Sequence, residues 1–236
     1  IYIPDSVTAI DDTAFYYCLC LHEFKGKFAE DNGKALVVNG RLAACARSIP
    51  SDYIIPETVT SISNKAFHYF GHVESLTIPN SVETIEEDSF YGCGGLKEFK
   101  GKFAEDNGRA LVFNNVLIAA ALNGLTEYTI PNNITKVGSR AFIHEEELQN
   151  LVIGSNVTEI SGNLCAIPDI RVCNSVTLQG DAKTIVGLGK LNFVSEFRGD
   201  YAQDNGRAWV IDGELYGFAS DGLTEYTIPS GVVSIH

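Results

Sequence analysis

The chain contains no run of eighteen apolar residues, so nothing in it is long and apolar enough to cross a bilayer as a helix. Positive charge is scarce: 17 Lys and Arg stand against 30 Asp and Glu, a formal net charge of -13. Nucleic acid and anionic membranes both need a concentrated basic face, so neither is expected as a partner, and no direct membrane insertion is expected. Methionine is absent, and both ends, Ile1-Tyr2-Ile3-Pro4 and Ser234-Ile235-His236, fall inside a recurring motif. The sequence therefore reads as a stretch of a longer protein. Catalytic signatures are missing too. No Cys-His-Asn or Ser-His-Asp set recurs, no glycine-rich phosphate loop follows a strand, and no paired acids sit in an evident pocket. Neither an enzyme nor a cofactor is expected. What remains is 45% hydrophobic and 20% charged over 236 residues, enough for one sizeable core or a long stack of small units.

Repeats decide between those two. The motif is Ile-Pro-x-x-Val-x-x-Ile, then an Ala-Phe or similar pair, a small or Cys residue and an apolar one. It reads "IPDSVTAIDDTAFYYCLCL" from Ile3, "IPETVTSISNKAFHYFGHV" from Ile55, "IPNSVETIEEDSFYGCGGL" from Ile78 and "IPNNITKVGSRAFIHEEEL" from Ile130. Weaker copies start at Ile153 and Leu178, and "IPSGVVSI" starts at Ile228. Ile3 to Ile55 and Ile78 to Ile130 are each 52 residues; Ile55 to Ile78 and Ile130 to Ile153 are each 23. The motif Phe lies 12 residues after its Ile at Phe15, Phe67, Phe90 and Phe142, whereas the candidate in the sixth copy, Leu188, lies only 10 after Leu178.

A repeat of about 20–29 residues with apolar residues at fixed offsets predicts a leucine-rich-repeat solenoid, right-handed, with a β-strand and a short helical turn per coil. Stretches such as Leu76-Thr77-Ile78 alternate and read as the strands. The Pro that follows stops each strand, since it cannot donate to a ladder. Ile3, Phe15, Ile55, Phe67, Ile78, Val82, Ile85, Phe90, Ile130, Phe142, Ile153 and Ile228 are the expected core. Segments such as "EEDSFYGC" look like one helical turn. The expected coils are 1–24, 55–77, 78–99, 130–152, 153–177 and 178–197, with a partial one at 228–236.

Between them lie three inserts, 25–54, 100–129 and 198–227. They open on nearly the same words: "FKGKFAEDNGKALV" from Phe24, "FKGKFAEDNGRALV" from Phe99 and "FRGDYAQDNGRAWV" from Phe197, each 31 residues before a motif Ile. Asp-Asn-Gly suits a tight left-handed reversal. Further on, Asn39-Gly40, Asn114-Asn115 and Asp212-Gly213 suit a two-residue type I′ turn, in which both central residues need positive φ. Each insert is therefore expected to be a β-hairpin on one rim of the solenoid.

"IPNSVETIEEDSFYGCGGLKEF" resembles the BspA-like leucine-rich repeats, and the likeness runs over about six coils. The resemblance implies a surface-exposed bacterial protein, at the cell surface or extracellular, with adhesion to host proteins or cells as its general role. It implies no catalytic residues. Coils five and six depart from the pattern, with Cys165 where Phe is expected and Pro168 at the Cys position.

Asp-Asn-Gly could begin a calcium loop, but Lys34, Arg109 or Arg207 follows the Gly where that loop needs further oxygen ligands. Lys25-Gly26-Lys27 and Lys100-Gly101-Lys102 could hold an acidic group, or simply charge a strand edge. The aligned Arg198-Gly199-Asp200 is a tripeptide that some cell-adhesion receptors read, though a strand would present it poorly. His68 and His72 have the spacing of half a metal site, with Glu74 nearby, but no third ligand is evident, so no metal is expected. The acidic run from His144 to Glu147 reads as a solvated face. Cys18 and Cys93 share a motif position two coils apart, about 9–10 Å at sheet spacing, and read as small buried residues rather than a disulfide. Cys45 also reads as interior, and a Cys165–Cys173 bridge stays open.

Two functions remain. One is a monomeric binding module presenting an extended surface to a protein or glycan on another cell or in a matrix. It predicts an aromatic and polar patch spanning several coils. The other is a structural spacer of a longer surface protein, which predicts none.

Overall fold

The computed structural model describes residues 1–11, 13–142, 148–161, 175–179, 194–220 and 222–236. Its contacts divide into two units: Ile1–Asn114 with Ile118–Asn123, and Asn115–Leu117 with Gly124–His236. Each unit winds as a β-solenoid.

In the first unit the strands are β1 (Ala29–Glu30), β2 (Ala35–Val38), β3 (Arg41–Cys45), β4 (Asp52–Ile54), β5 (Ser61–Ile62), β6 (Ser75–Ile78), β7 (Thr84–Ile85), β8 (Glu98–Gly101), β9 (Ala104–Glu105) and β10 (Ala110–Phe113). The strands entering the Ile-Pro form one parallel sheet, β4-β6-β8, in which Tyr53 pairs with Leu76 and Leu76 with Phe99. A second parallel ladder, β3-β5-β7, runs through the Val-x-x-Ile segments, with Leu42 opposite Ile62 and Ile62 opposite Ile85. Between the two ladders the Pro carbonyl makes the corner. Pro56 accepts from Val59 N–H (3.0 Å) and Pro79 from Val82 N–H (3.3 Å). Pro thus ends one strand and opens the turn to the next.

The second unit repeats the plan. β11 (Val116–Ala120) is divided between the units, and its Val116 and Leu117 pair with β13 (Lys136–Val137). β12 (Glu127–Thr129), β14 (Asn150–Ile153), β16 (Ser175–Leu178) and β17 (Glu196–Arg198) form a parallel sheet. β13 pairs in parallel with β15 (Glu159–Ile160). β18 (Ala202–Gln203), β19 (Ala208–Ile211), β20 (Glu214–Phe218) and β21 (Ser234–Ile235) make a separate sheet.

The core is an aromatic and aliphatic column. Phe67 and Phe90 stack at 5.4 Å and 16°, and Phe90 meets Phe99 edge-on at 5.5 Å. Ile3, Ile55, Ile78, Val82, Ile85, Ile130, Phe142 and Ile153 are all buried. Two motif residues depart from the expectation. Phe15 is only half-buried, packed against the cluster of Ile3, Phe24, Leu36, Ala43, Ala44 and Ala46. Ile228 is 40% exposed.

The segments expected as helical turns are not helical. Residues 64–69 and 87–92 are successive turns, and alternate N–H groups of the first bond across to the second: Lys65 to Asp88 O, Phe67 to Ser89 O and Tyr69 to Tyr91 O (2.7–3.1 Å). Donors committed to a neighbouring coil are lost to an i−4 bond. Left-handed Lys65 (φ 62°) and Tyr69 (φ 59°) also interrupt any helix. Among the described residues the one helical assignment is a three-residue 3-10 turn, Asp106–Gly108.

The inserts are built into the solenoid rather than hung on its rim. The second and third begin as an ordinary first strand, with Phe99 opposite Leu76 and Phe197 opposite Val176, and the first has a single parallel bridge there, Tyr2 to Lys25. The glycine two residues later (Gly26, Gly101, Gly199) takes positive φ of 105°, 80° and 99°, and the chain leaves the ladder there. β2 and β3 then pair antiparallel about Asn39-Gly40, and β19 and β20 about Asp212-Gly213. β10 and β11 are sheet neighbours on either side of Asn114-Asn115. The return strand carries on as the first member of the next second ladder, as β3 does to β5 and β20 to β21. All four residues of β2 and of β19 are buried. Burial of successive residues means both faces are covered, which explains the alanines in "RLAACA" and "VLIAAA".

Candidate functional site

The thrice-repeated stretch is explained first by its backbone. Asp31-Asn32-Gly33, Asp106-Asn107-Gly108 and Asp204-Asn205-Gly206 are each three consecutive left-handed residues, with φ of 49–54° at Asp and Asn and 80–84° at Gly. A run of such residues excludes most side chains, since each L-residue there costs about 1–2 kcal/mol and Asn, Asp and Gly the least. In all three copies the N–H of the following cation, Lys34, Arg109 or Arg207, donates to the carbonyl of the Asp that opens the turn (3.0–3.2 Å). Phe24 N–H donates to Gly33 O (2.8 Å) and Phe197 N–H to Gly206 O (2.7 Å). The following cation is a brace as well: Arg109 Nη1 donates to Ala121 O (2.9 Å) and Arg207 Nη1 to Ala219 O (3.3 Å).

The charges of the opening Lys-Gly-Lys are used locally. Lys25 pairs with Glu23 (3.0 Å), and Lys100 with Glu98 (2.9 Å) and Asp52 (3.7 Å). Lys27 Nζ donates to Asp5 O (2.9 Å), and Lys102 Nζ to Asn80 O (3.2 Å) and Val82 O (2.6 Å). Each third-position lysine thus straps the insert to the preceding coil.

A second feature crosses coils. Tyr16, His68 and Tyr91 each lie 13 residues after their motif Ile, and Tyr17 and Tyr69 lie 14 after theirs. Coil stacking brings the five rings of the first unit into one band. Tyr16 and His68 are 4.2 Å apart, His68 and Tyr91 stack at 4.9 Å and 13°, and Tyr17 lies 5.6 Å from Tyr69. Lys65 Nζ sits 4.7 Å over the Tyr16 ring. Tyr69 and Tyr91 hydroxyls are 3.4 Å apart, a hydrogen bond that holds the Tyr69 pKa above the ordinary phenol value. Beneath them Arg47 bonds the Tyr69 and His68 carbonyls and covers the Phe70 ring at 4.3 Å. Tyr91 and His68 are buried, Tyr16 and Tyr69 half-buried, Tyr17 55% exposed and nearby Leu19 50% exposed. The band escaped the sequence because "HYFGH" invites a reading along the chain. The usable signal was the common offset across coils.

A cleft of about 570 Å³ opens in the same unit. Thr8, Ala9, Ile10 and Asp11 form one wall, and Val38, Asn39, Arg41, Ala43 and Ser61 another. Ala9-Ile10 correspond to the paired Ser61–Ile62 of the next coil but belong to no strand. A hydrogen bond from Thr13 holds Asp11 below the usual carboxylate pKa.

The remaining candidates scatter. His68 lies inside the aromatic band, while His72 donates from Nε2 to Ile49 O (3.0 Å). Among the described residues no three His, Cys, Asp or Glu side chains come together as a metal site. Cys45 and Cys93 are buried free thiols, but Cys18 is exposed, contrary to the expectation from its motif position. Cys93 donates to Phe67 O (2.9 Å), and burial pushes its pKa up to about 12. Arg198 ends β17, and Gly199 and Asp200 form the exposed corner after it. Cys165, Pro168, Cys173, Leu188 and the acidic run at 144–147 lie outside the described residues. Among the described residues no helix is long and apolar enough to cross a membrane.

Among solved structures, the chain is similar to a leucine rich cell surface protein from Faecalibacterium prausnitzii A2-165, at 25% identity and a TM-score of 0.52, covering 78% of this chain and 48% of that one. It is also similar to leucine-rich repeat proteins from Eubacterium ventriosum ATCC 27560 (19% identity, TM-score 0.46, 82% and 58% covered) and Bacteroides ovatus ATCC 8483 (21%, 0.45, 99% and 61%). The chain thus spans from 48% to 61% of the length of these three. No curated protein matches it. The family model described as BspA type leucine rich repeat region matches residues 1–30 and 44–166 in six copies. With well over half of its residues matched and its ladders built on the repeated Ile, Val and Phe positions, the chain belongs to the BspA-type leucine-rich repeat family.

Proposed function

We propose that the chain is a monomeric, non-catalytic repeat module displayed at a bacterial cell surface, where it binds a protein or glycan partner. The observation that carries this proposal is the aromatic band across three coils of the first unit, a patch that a plain spacer has no need of. Its rings include left-handed Tyr17 (φ 59°) and Tyr69 (φ 59°), at a position that Gly92 fills in the third coil. Backbone geometry alone would favour glycine there, so the tyrosines are held against a conformational cost of about 1–2 kcal/mol each.

The ring geometry favours a protein over a glycan. Sugars pack on open aromatic faces, whereas the faces of His68 and Tyr91 are stacked on each other. What the band offers is the Tyr17 ring, hydroxyl-bearing edges and Leu19, with Lys65 alongside. Tyrosine anchors with a polar rim are typical of protein-binding hot spots.

The test uses the purified chain against an array of immobilised extracellular-matrix and serum glycoproteins, and against a glycan array. Saturable binding to an arrayed protein is expected, weakened at least about tenfold (about 1.4 kcal/mol) by Tyr17→Gly with Tyr69→Gly, substitutions that suit the left-handed backbone. No saturable binding on either array, while a longer form of the protein adheres, would make the chain a spacer.

A further inference from the structure

We infer that the corner Arg198-Gly199-Asp200 in the second unit is a second binding site, separate from the aromatic band. Its partner is a cell-adhesion receptor that takes a carboxylate on its own divalent cation and a guanidinium in an acidic pocket. The first observation is exposure. Arg198 is the last residue of β17, and Arg198, Gly199 and Asp200 are all exposed. The strand ends before the acid: Thr177 opposite Arg198 is the last pairing of β16 with β17, and Ala202 N–H closes a turn on Gly199 O (3.1 Å). The tripeptide therefore spans a strand-to-turn corner: Arg198 is the last member of the ladder, and Gly199 and Asp200 lie past it.

The second observation is a difference between copies that the scaffold does not demand. Everything the backbone needs is kept in the third copy: Phe197 in register, Gly199 at φ 99° with its missing Cβ 2.8 Å from Leu178 O, and the left-handed Asp204-Asn205-Gly206. The two flanking positions change from lysine to Arg198 and Asp200. In the other copies the lysine at the third position straps the insert by donating to main-chain carbonyls. A carboxylate has no proton to donate and cannot replace that strap. Among the described residues the Asp200 carboxylate has no ion pair or hydrogen bond, so it is available to a cation supplied by a partner.

Arg198 is held only lightly. It pairs with Glu196 at 3.3 Å, with the two side chains 51% and 45% exposed, and pairs of that kind are weak. An acidic pocket on a receptor can displace Glu196 without a large opposing term. The glycine that the corner requires also leaves the approach between Arg198 and Asp200 free of a side chain. Receptors that read this tripeptide demand the same composition.

The test immobilises the whole chain and measures binding of a purified adhesion-receptor ectodomain that reads linear Arg-Gly-Asp peptides, in millimolar Mn2+. Saturable binding is expected, abolished by EDTA and competed by a soluble Arg-Gly-Asp peptide. Asp200→Glu should weaken it at least tenfold. Arg198→Lys with Asp200→Lys, which restores the wording of the other two copies, should abolish it. Unchanged fluorescence of the buried Trp209, stacked 4.1 Å from Phe197, verifies that each variant is folded. Tyr17→Gly with Tyr69→Gly should leave this binding unchanged, which separates it from the aromatic band. Absence of saturable binding, or binding that survives both Asp200→Glu and EDTA, overturns the inference.

Discussion

Replacing Gly101 with alanine puts the structural account of the repeated insert at risk. Gly101 is where the second insert leaves the parallel sheet, at φ +80°, and an added Cβ would lie 2.2 Å from the Ile78 carbonyl oxygen and 3.2 Å from its carbon. That oxygen also accepts from Lys102 N–H at 2.9 Å. Three effects add. An L-residue in the left-handed region costs about 1–2 kcal/mol. Overlap with main chain cannot be relieved by a rotamer change, and shifting the backbone costs about 1–3 kcal/mol. Weakening one hydrogen bond removes about 0.5–1.5 kcal/mol. The total is about 2.5–6.5 kcal/mol, or a fall in Tm of roughly 5–26 °C for a chain of this length. The control is Gly124→Ala. Gly124 has φ +85° but nothing within 4 Å of the added Cβ. It carries the conformational cost alone, about 1–2 kcal/mol. Urea and thermal unfolding followed by far-UV circular dichroism give both values. If Gly101→Ala proves no worse than Gly124→Ala, close approach to Ile78 is not why the glycine recurs, and the scaffold explanation of the insert fails.

Further outcomes follow from the same geometry. Phe90→Ala, which empties the centre of the Phe67–Phe90–Phe99 column, should cost about 3–5 kcal/mol in urea unfolding. Asn107 (φ 53°) should accept glycine with no loss or a small gain, while Asn107→Val should lose at least about 1–2 kcal/mol. In a native thiol-labelling experiment read by peptide mass mapping, exposed Cys18 and Cys20 should be modified at pH 8, whereas buried Cys45 and Cys93 should not. Stability should fall on the alkaline side. Cys93 is raised from an ordinary 9.0 to about 12, so above pH 9 the unfolded thiol loses its proton while the folded one keeps it. The unfolded state then binds fewer protons, and this group withdraws up to about 1.4 kcal/mol per pH unit between pH 9 and 12. The pH dependence of the urea midpoint, compared with that of Cys93→Ala, measures it.

The ladder residues were legible because a solenoid repeats its constraints. Ile55, Ile78 and Ile130 recur at the same offset and all are fully buried. The turn segments were not legible. Left-handed Tyr17, Lys65 and Tyr69 are residue types that carry no signal for positive φ, and Gly92, aligned with Tyr17 and Tyr69, was the single hint. The aromatic band went unseen for a related reason: its members touch across coils while 22 or more residues apart in sequence. The inserts were half legible. Asn39-Gly40 and Asp212-Gly213 announced reversals, but the placement of the strands on a rim ignored the alanines. "AACA" and "AAAL" are the composition of strands covered on both faces, and a rim hairpin would alternate apolar with polar.

The three inserts also separate residues that the fold requires from those it merely tolerates. The aromatic that opens each, the glycine two residues on and Asp-Asn-Gly never change, and each has a backbone reason. The cation after Asp-Asn-Gly changes only between Lys and Arg; both arginines bond a carbonyl across the strand pair, and Lys34 pairs with Asp31 at 3.8 Å. The third-position lysine is kept in the two copies where it donates to carbonyls of the preceding coil, and it is lost in the third. A residue lost from an otherwise preserved copy is one whose structural bond the fold can do without. Whatever replaced it was then free to be selected for something other than folding. By that reasoning Asp200, rather than the lysines that first draw attention, is where a function distinct from the scaffold has room to be written.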